Sequence, residues 1–298
     1  MTVTIIRERL PRHPLLGRNV HFDSRSRLYA VQPVAATVTS VRHDASIGIL
    51  DQGQVGACTG FASVACSYRE PFFGFGNEPW HYRPSVAGGY GWYSQNTAED
   101  GFPGTYEPDD TGSDGLTASK VAVETGVASG FQAAFDLDSS LLSLMAAPGI
   151  TGIPWFNSMF QAPSSGLLEV DATSGQAGGH ELCVDEIVAA DAPGNGTGVM
   201  LVGGPNSWGT SWGANGRWYL RASDWWELRK RDGDVYFWTP ITVPAPVPVP
   251  VPPGSPASTD DIAMWQATAA FRADRHVVPH IVQAVKALNA WGIEMGLK

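Results

Sequence analysis

Asp51-Gln52-Gly53-Gln54-Val55-Gly56-Ala57-Cys58-Thr59-Gly60-Phe61-Ala62 is the stretch from which the rest of the chain can be read. Its glycines make a turn. Beyond it Phe61, Ala62, Ala65, Cys66 and Arg69 recur at three- and four-residue steps, which predicts a helix from Cys58 to about Arg69. Gly60, Ala62, Ser63 and Ala65 are small, as a helix buried in a domain centre requires. A cysteine thus heads a helix, where the backbone dipole favours a thiolate. A glutamine stands six residues before it. Far downstream come Gly178-Gly179-His180-Glu181-Leu182 and Asn206-Ser207-Trp208-Gly209-Thr210-Ser211-Trp212-Gly213. Gln, Cys, His and Asn, in that order, are the groups that thiol acyl transfer needs.

Composition sets the frame. The chain has 298 residues, enough for one large domain and a small appendage, and 43% of them are hydrophobic. Charged residues make up only 16%, while Gly (34), Pro (22) and Trp (11) are abundant, which suits a loop-rich α+β protein. The net charge of −10 is uneven. Residues 1–45 hold seven Arg against three acids, residues 257–298 hold four of each sign, and residues 46–256 hold eight bases against 22 acids. A basic arm on an acidic body suggests that the two associate, or that the arm has a partner; it does not suggest nucleic-acid binding by the body.

The three cysteines, Cys58, Cys66 and Cys183, are too few for a disulfide scaffold. Cys58 and Cys66 would lie about 12 Å apart along one helix, too far to bridge. Free thiols and a reducing, cytoplasmic setting are expected. The first 14 residues lack the apolar run of a signal peptide, and no stretch approaches a membrane span.

The organisation is expected to be a lead strap (1–45), a body (46–239), a proline-rich linker (240–256) and a helical docking tail (257–298). Short strands are predicted near Val3–Ile6, Leu28–Val31 and Ala36–Val38. Helices are predicted near Ser85–Ala98, from a Thr117 cap to Glu124, and over Leu141–Ala146 behind Ser139. Ile150–Phe156 reads as a strand, and from His180 the pattern becomes β through Leu182–Val188, Gly198–Val202 and Arg217–Arg221. Helices first and strands later suggest a two-lobed α+β domain with cysteine and histidine facing across a cleft.

These motifs resemble those of the papain-like cysteine peptidases. The run DQGQVGACTGFA is similar to that family's glutamine and cysteine motif, and NSWGTSWGANGRWYL is similar to its asparagine signature. The resemblance covers about residues 45–238. Val55 stands where many members have a disulfide cysteine, Thr59 where many have Trp, and Gly179 where many have Asp or Asn. With the long loop between His180 and Asn206, these departures look like the bacterial or phage branch.

The resemblance implies a papain-like fold and four catalytic residues. Cys58 would be the nucleophile, His180 its base and acid, Asn206 the group that orients the imidazole, and Gln52 an oxyanion donor, with Gln54 as a rival of the wrong spacing. Trp208 would shield the His–Asn bond from water. Gly56, Gly178 and Gly179 would let a substrate backbone approach closely. Trp92, Trp155, Phe156 and Met159 are candidate pocket walls. Cys66 and Cys183 read as structural, Trp212 and Trp218 as core.

Asp109, Asp110 and Asp114 do not have EF-hand spacing and read as a solvated loop. No metal or other cofactor is expected. The partners implied are a peptide or protein substrate and, through residues 257–298, a protein assembly. A structural or processing component of a phage particle or other assembly, docked through its C-terminal helices, and a peptidoglycan-cleaving lysin remain alternatives to a general peptidase.

Overall fold

The structure is a computed structural model and describes residues 3–32, 36–72 and 84–241. The linker from residue 242 onward and the tail 257–298, with the assembly role assigned to it, lie outside the described residues.

β1 (Ile5–Glu8) and β2 (Val20–Asp23) form an antiparallel hairpin of the lead segment. The strands expected near residues 28–31 and 36–38 do not form. Asp23 instead caps a 3-10 turn over Ser24–Tyr29 by accepting the N–H of Arg25 at 2.9 Å, and the next strand is β3 (Val41–Arg42). The chain then builds α1 (Cys58–Ser67), α2 (Val86–Glu99) and α3 (Gly115–Glu124). After these come β4 (Gly130–Ala133), α4 (Leu137–Ala146), β5 (Gly149–Phe156), β6 (Gln176–Val184) and β7 (Glu186–Val188). The chain closes with β8 (Leu201–Pro205), β9 (Arg217–Arg221), α5 (Ala222–Asp232) and β10 (Asp234–Thr239).

One sheet has the order β4-β10-β5-β6 and lies between two cores. Its last strand shows how. Val235 and Phe237 point into one core with Trp155, Leu182 and Trp225, while Tyr236 and Trp238 point into the other with Val64, Leu116 and Val121 of the helices. Side chains alternate along a strand, so a strand buried on both faces is apolar throughout. The second sheet, β3-β7-β8-β9, packs on the first core. The result is the expected two-lobed α+β fold, with α1–α3 in one lobe and the strand-rich core, joined by α4 and α5, in the other.

Two helix caps differ from expectation. Asp114, not Thr117, caps α3: its carboxylate accepts the Thr117 N–H at 2.8 Å and the Thr117 hydroxyl at 2.9 Å. Asp136, not Ser139, likewise starts α4. In both cases the carboxylate three residues upstream reaches the first free N–H groups, the usual N-cap geometry. Of the three acids read as a solvated loop, Asp109 is exposed as expected and the other two are not. Asp114 is fully buried, and Asp110 accepts the Tyr93 hydroxyl at 2.6 Å and the Gly56 N–H at 3.0 Å.

Glycines that weaken the case for α2 by propensity prove to be why it packs. A Cβ on Gly60 of α1 would stand 2.2 Å from the Gly89 carbonyl of α2, and one on Gly89 would run into the Phe61 ring. Helix–helix contact this close tolerates no side chain. A buried ion network ties α1 to the strand lobe: Asp185 bonds both Arg69 and Arg217, and Arg217 also meets Glu186 at 2.7 Å. Gly60→Ala is expected to push the two helices apart and cost about 1–3 kcal/mol, read as a lower midpoint in urea or heat.

Candidate active site

Three separate segments meet at Cys58. It is the first residue of α1, and the turn before it is held by Asp110 through the Gly56 N–H. Its Sγ accepts the backbone N–H of Glu181 at 3.4 Å, so the thiol lies against the His180–Glu181 peptide in the middle of β6. The Nε2 of His180 is 2.7 Å from Asn206 Oδ1, just beyond β8. That oxygen also accepts the Ser207 N–H at 2.7 Å. A backbone N–H can only donate, so the amide orientation is settled and Nε2 must carry the proton. Nδ1 then bears the free lone pair, and it has no hydrogen-bond partner among the described residues.

Aromatic rings enclose the histidine. Trp208 stacks on it with centroids 4.7 Å apart, and Trp155 meets it edge-on at 4.9 Å. Trp212 packs on Trp208 and donates its indole N–H to the Phe160 carbonyl at 2.8 Å. Trp208 therefore does cover the His–Asn pair. Trp155 is in place as a wall, Phe156 and Met159 belong to the core behind it, and Trp92 stacks on Trp238 in the other core, away from the site. Trp218 is core.

Gln52 is fully buried, whereas Gln54 is exposed, which separates the two rivals. The Gln52 side-chain oxygen accepts the Ser207 hydroxyl, its side-chain amide donates to Val55 O at 2.7 Å and to Leu15 O at 3.3 Å, and its backbone carbonyl accepts the Tyr90 hydroxyl at 2.7 Å. Ser207 and Tyr90 were not picked out by sequence, and Asp110 was read only as part of a solvated loop. Ser207 sits inside the asparagine motif, and that adjacency was the available signal.

The cleft is filled by the chain itself. Residues 10–19 of the lead strap run across it. A Cβ on Gly178 would stand 2.7 Å from Pro11 O, one on Gly179 2.6 Å from Arg18 O, and one on Gly56 3.1 Å from Leu16 O. The three glycines do admit a close backbone, and that backbone is the strap's. Arg18 donates its N–H to Gly179 O at 3.0 Å, and the strap pairs with Ser113 in a parallel bridge.

This cover sets the ionisation state. Cys58 and His180 have no exposed surface. Burial pushes the thiol up to about 12, the backbone N–H of Glu181 only partly offsetting it, and burial holds His180 down at about 4 against the help of Asn206. Both are neutral at pH 7. The thiolate expected at the head of α1 is not present in this covered state, because desolvation outweighs the helix dipole.

No family model and no curated protein matches the chain. Among solved structures it is similar to xylellain, a cysteine protease from Xylella fastidiosa, at 14% identity over 80% of this chain and 100% of that one, with a TM-score of 0.58. A structure of the mite allergens Blo t 1 and Der p 1 aligns at 14% identity over 72% and 77%, TM-score 0.48. The proform of Amb a 11, a ragweed pollen cysteine protease, aligns at 19% over 72% and 68%, TM-score 0.44. Only the first is near enough to carry weight. The chain has the papain-like fold.

The depressed His180 sets a pH dependence. A neutral buried imidazole contributes stability that is present above its unfolded pKa near 6.5 and is lost as pH falls through about 4. That is on the order of 3 kcal/mol between pH 7 and 4. His180→Gln is expected to lose less stability over that interval than the wild type, measured as the shift in urea midpoint.

Proposed function

We propose that this chain is a cysteine peptidase held latent by its own N-terminal strap. The observation that carries it is the meeting of three distant segments: the Cys58 thiol on the His180–Glu181 peptide, with His180 Nε2 committed to Asn206 and Nδ1 left free. With the strap lifted and water admitted, the desolvation that keeps both groups neutral is relieved, and the thiol proton passes to His180 Nδ1.

The thiolate then attacks the substrate carbonyl carbon. A C–S bond forms, and the carbonyl oxygen takes the negative charge beside the Gln52 amide N–H. Collapse expels the amine, which leaves with the proton from His180 Nδ1. Water next adds to the thioester while His180 takes its proton. The C–S bond breaks, releasing the acid and returning the thiol. Asn206 keeps Nε2 bonded throughout, so the ring presents Nδ1 at each step.

The strap blocks each part of this. Leu15 O sits on the Gln52 N–H reserved for the oxyanion, and the glycines meant for substrate are covered. A neutral thiol is a poor nucleophile, which accounts for a strap lying intact beside it. We also place the chain with the bacterial or phage branch. Val55 stands where a disulfide cysteine is common, and all three cysteines are free and buried.

Gly17→Val is expected to lift the strap, since a Cβ there would stand 1.7 Å from the Gly56 carbonyl. Iodoacetamide at neutral pH, with the site located by mass spectrometry, should label Cys58 slowly in the wild type and at least about tenfold faster in Gly17→Val. His180→Ala in that background should remove the gain. The Gly17→Val chain should cleave quenched peptides, Gln52→Ala should lower that rate on the order of 10²-fold, and Cys58→Ala should abolish it. Cleavage that survives Cys58→Ala would end the proposal.

A further inference from the structure

Leu16 joins the hydrophobic core, and Arg18 carries a charge from the strap deep into the body. Its side chain has no exposed surface, and Nη2 meets Asp234 Oδ2 at 2.8 Å while Nε lies 3.9 Å from Glu181 Oε2. The strand register explains the receptacle. Glu181 of β6 stands opposite Gly152 of β5, and Gly152 stands opposite Asp234 of β10, so the three form a row across the sheet.

The middle member has to be glycine. A Cβ on Gly152 would lie 2.1 Å from Arg18 Nε. On the far wall Gly115 heads α3, and a Cβ there would crowd both Glu181 Oε1 (2.8 Å) and Asp234 Oδ1 (2.9 Å). The row is thus an acidic trough with a missing side chain at its centre.

Its polar groups are not used up. Asp234 Oδ1 accepts the Gly152 N–H at 3.1 Å, but both carboxyl oxygens of Glu181, a buried residue, lack a hydrogen-bond partner among the described residues. Burying two acids without full pairing is costly. The trough is also part of the cleft. Glu181 follows His180, its N–H is bonded to Cys58 Sγ, and the Arg18 backbone rests on Gly179 O.

We propose that the trough of Glu181, Gly152 and Asp234 is a specificity subsite that takes an arginine side chain of the substrate, and that Arg18 occupies it while the strap is in place. This rests on the peptidase reading for its role in catalysis. Arginine fits better than lysine. Its planar fork reaches Asp234 with one terminal nitrogen while Nε faces Glu181, and a lysine ammonium is a single point on a flexible stem. The occupied trough also gives the basic arm and acidic body a specific joint.

The test uses the full chain carrying Gly17→Val, with Arg18→Ala as the second strap-release variant should the first not fold. The probes are blocked tripeptides with arginine, its neutral isostere citrulline, or leucine at one of the two positions before the scissile bond. Binding is measured by anisotropy on the Cys58→Ala form, and cleavage on the form that keeps Cys58. At one of the two positions the arginine peptide should bind at least about tenfold more tightly than the citrulline peptide. Asp234→Asn should cut that ratio to about threefold or less, and adding Glu181→Gln should remove it.

Equal binding of arginine and citrulline peptides at both positions, or a preference untouched by Asp234→Asn, would overturn the subsite. Arginine-selective binding without any cleavage would leave the subsite standing and sink the peptidase reading instead.

Discussion

The Cys58 thiol lies at the head of α1 with no exposed surface, and the state of the cleft follows from the exclusion of water there. An ionised thiol and an imidazolium are each strongly disfavoured away from water unless their attraction repays the loss. Here the sulfur's hydrogen bond comes from the Glu181 backbone, and Nδ1 of His180 has no partner among the described residues. The neutral pair is therefore the stable one. Everything that bears on reactivity runs through the strap, because the strap is what keeps water out.

The strap is held by backbone contact, by the buried Leu16 and by one deep charged side chain. Gly56, Gly178 and Gly179 let the main chain of residues 11–18 come within reach of the cleft walls. Arg18 then anchors it in the sheet row of Glu181, Gly152 and Asp234. Such a seat is reversible. It uses no covalent bond and no large apolar interface of its own, and a single added methyl at Gly17 would collide with Gly56.

The histidine is positioned more rigidly than the cysteine. Asn206 fixes its tautomer, Ser207 fixes Asn206 and Gln52 together, and Trp208 and Trp155 fix the plane of the ring. These contacts come from β5, β6 and the turn after β8, all in the strand lobe, while Cys58 belongs to the helix lobe. The Arg69–Asp185–Arg217 network joins the two lobes close by.

By itself the sequence determined the class of the fold. It also marked Cys58, His180, Asn206 and Gln52, which the fold then brings near one another; their motifs are local, and local runs of chain carry their own turns and helix starts. The buried strands were legible because a strand covered on both faces must be apolar throughout. The caps Asp114 and Asp136, the packing role of Gly60 and Gly89, and the Arg18 seat were decided only by the tertiary structure. Each depends on groups far apart in the chain: Gly60 on Gly89, Arg18 on Asp234, Leu15 on Gln52. Burial is a property of the assembled molecule as well. The helix dipole that favours a thiolate can be read from the sequence, but the desolvation that overrides it appears only when residues 10–19 close over the cleft.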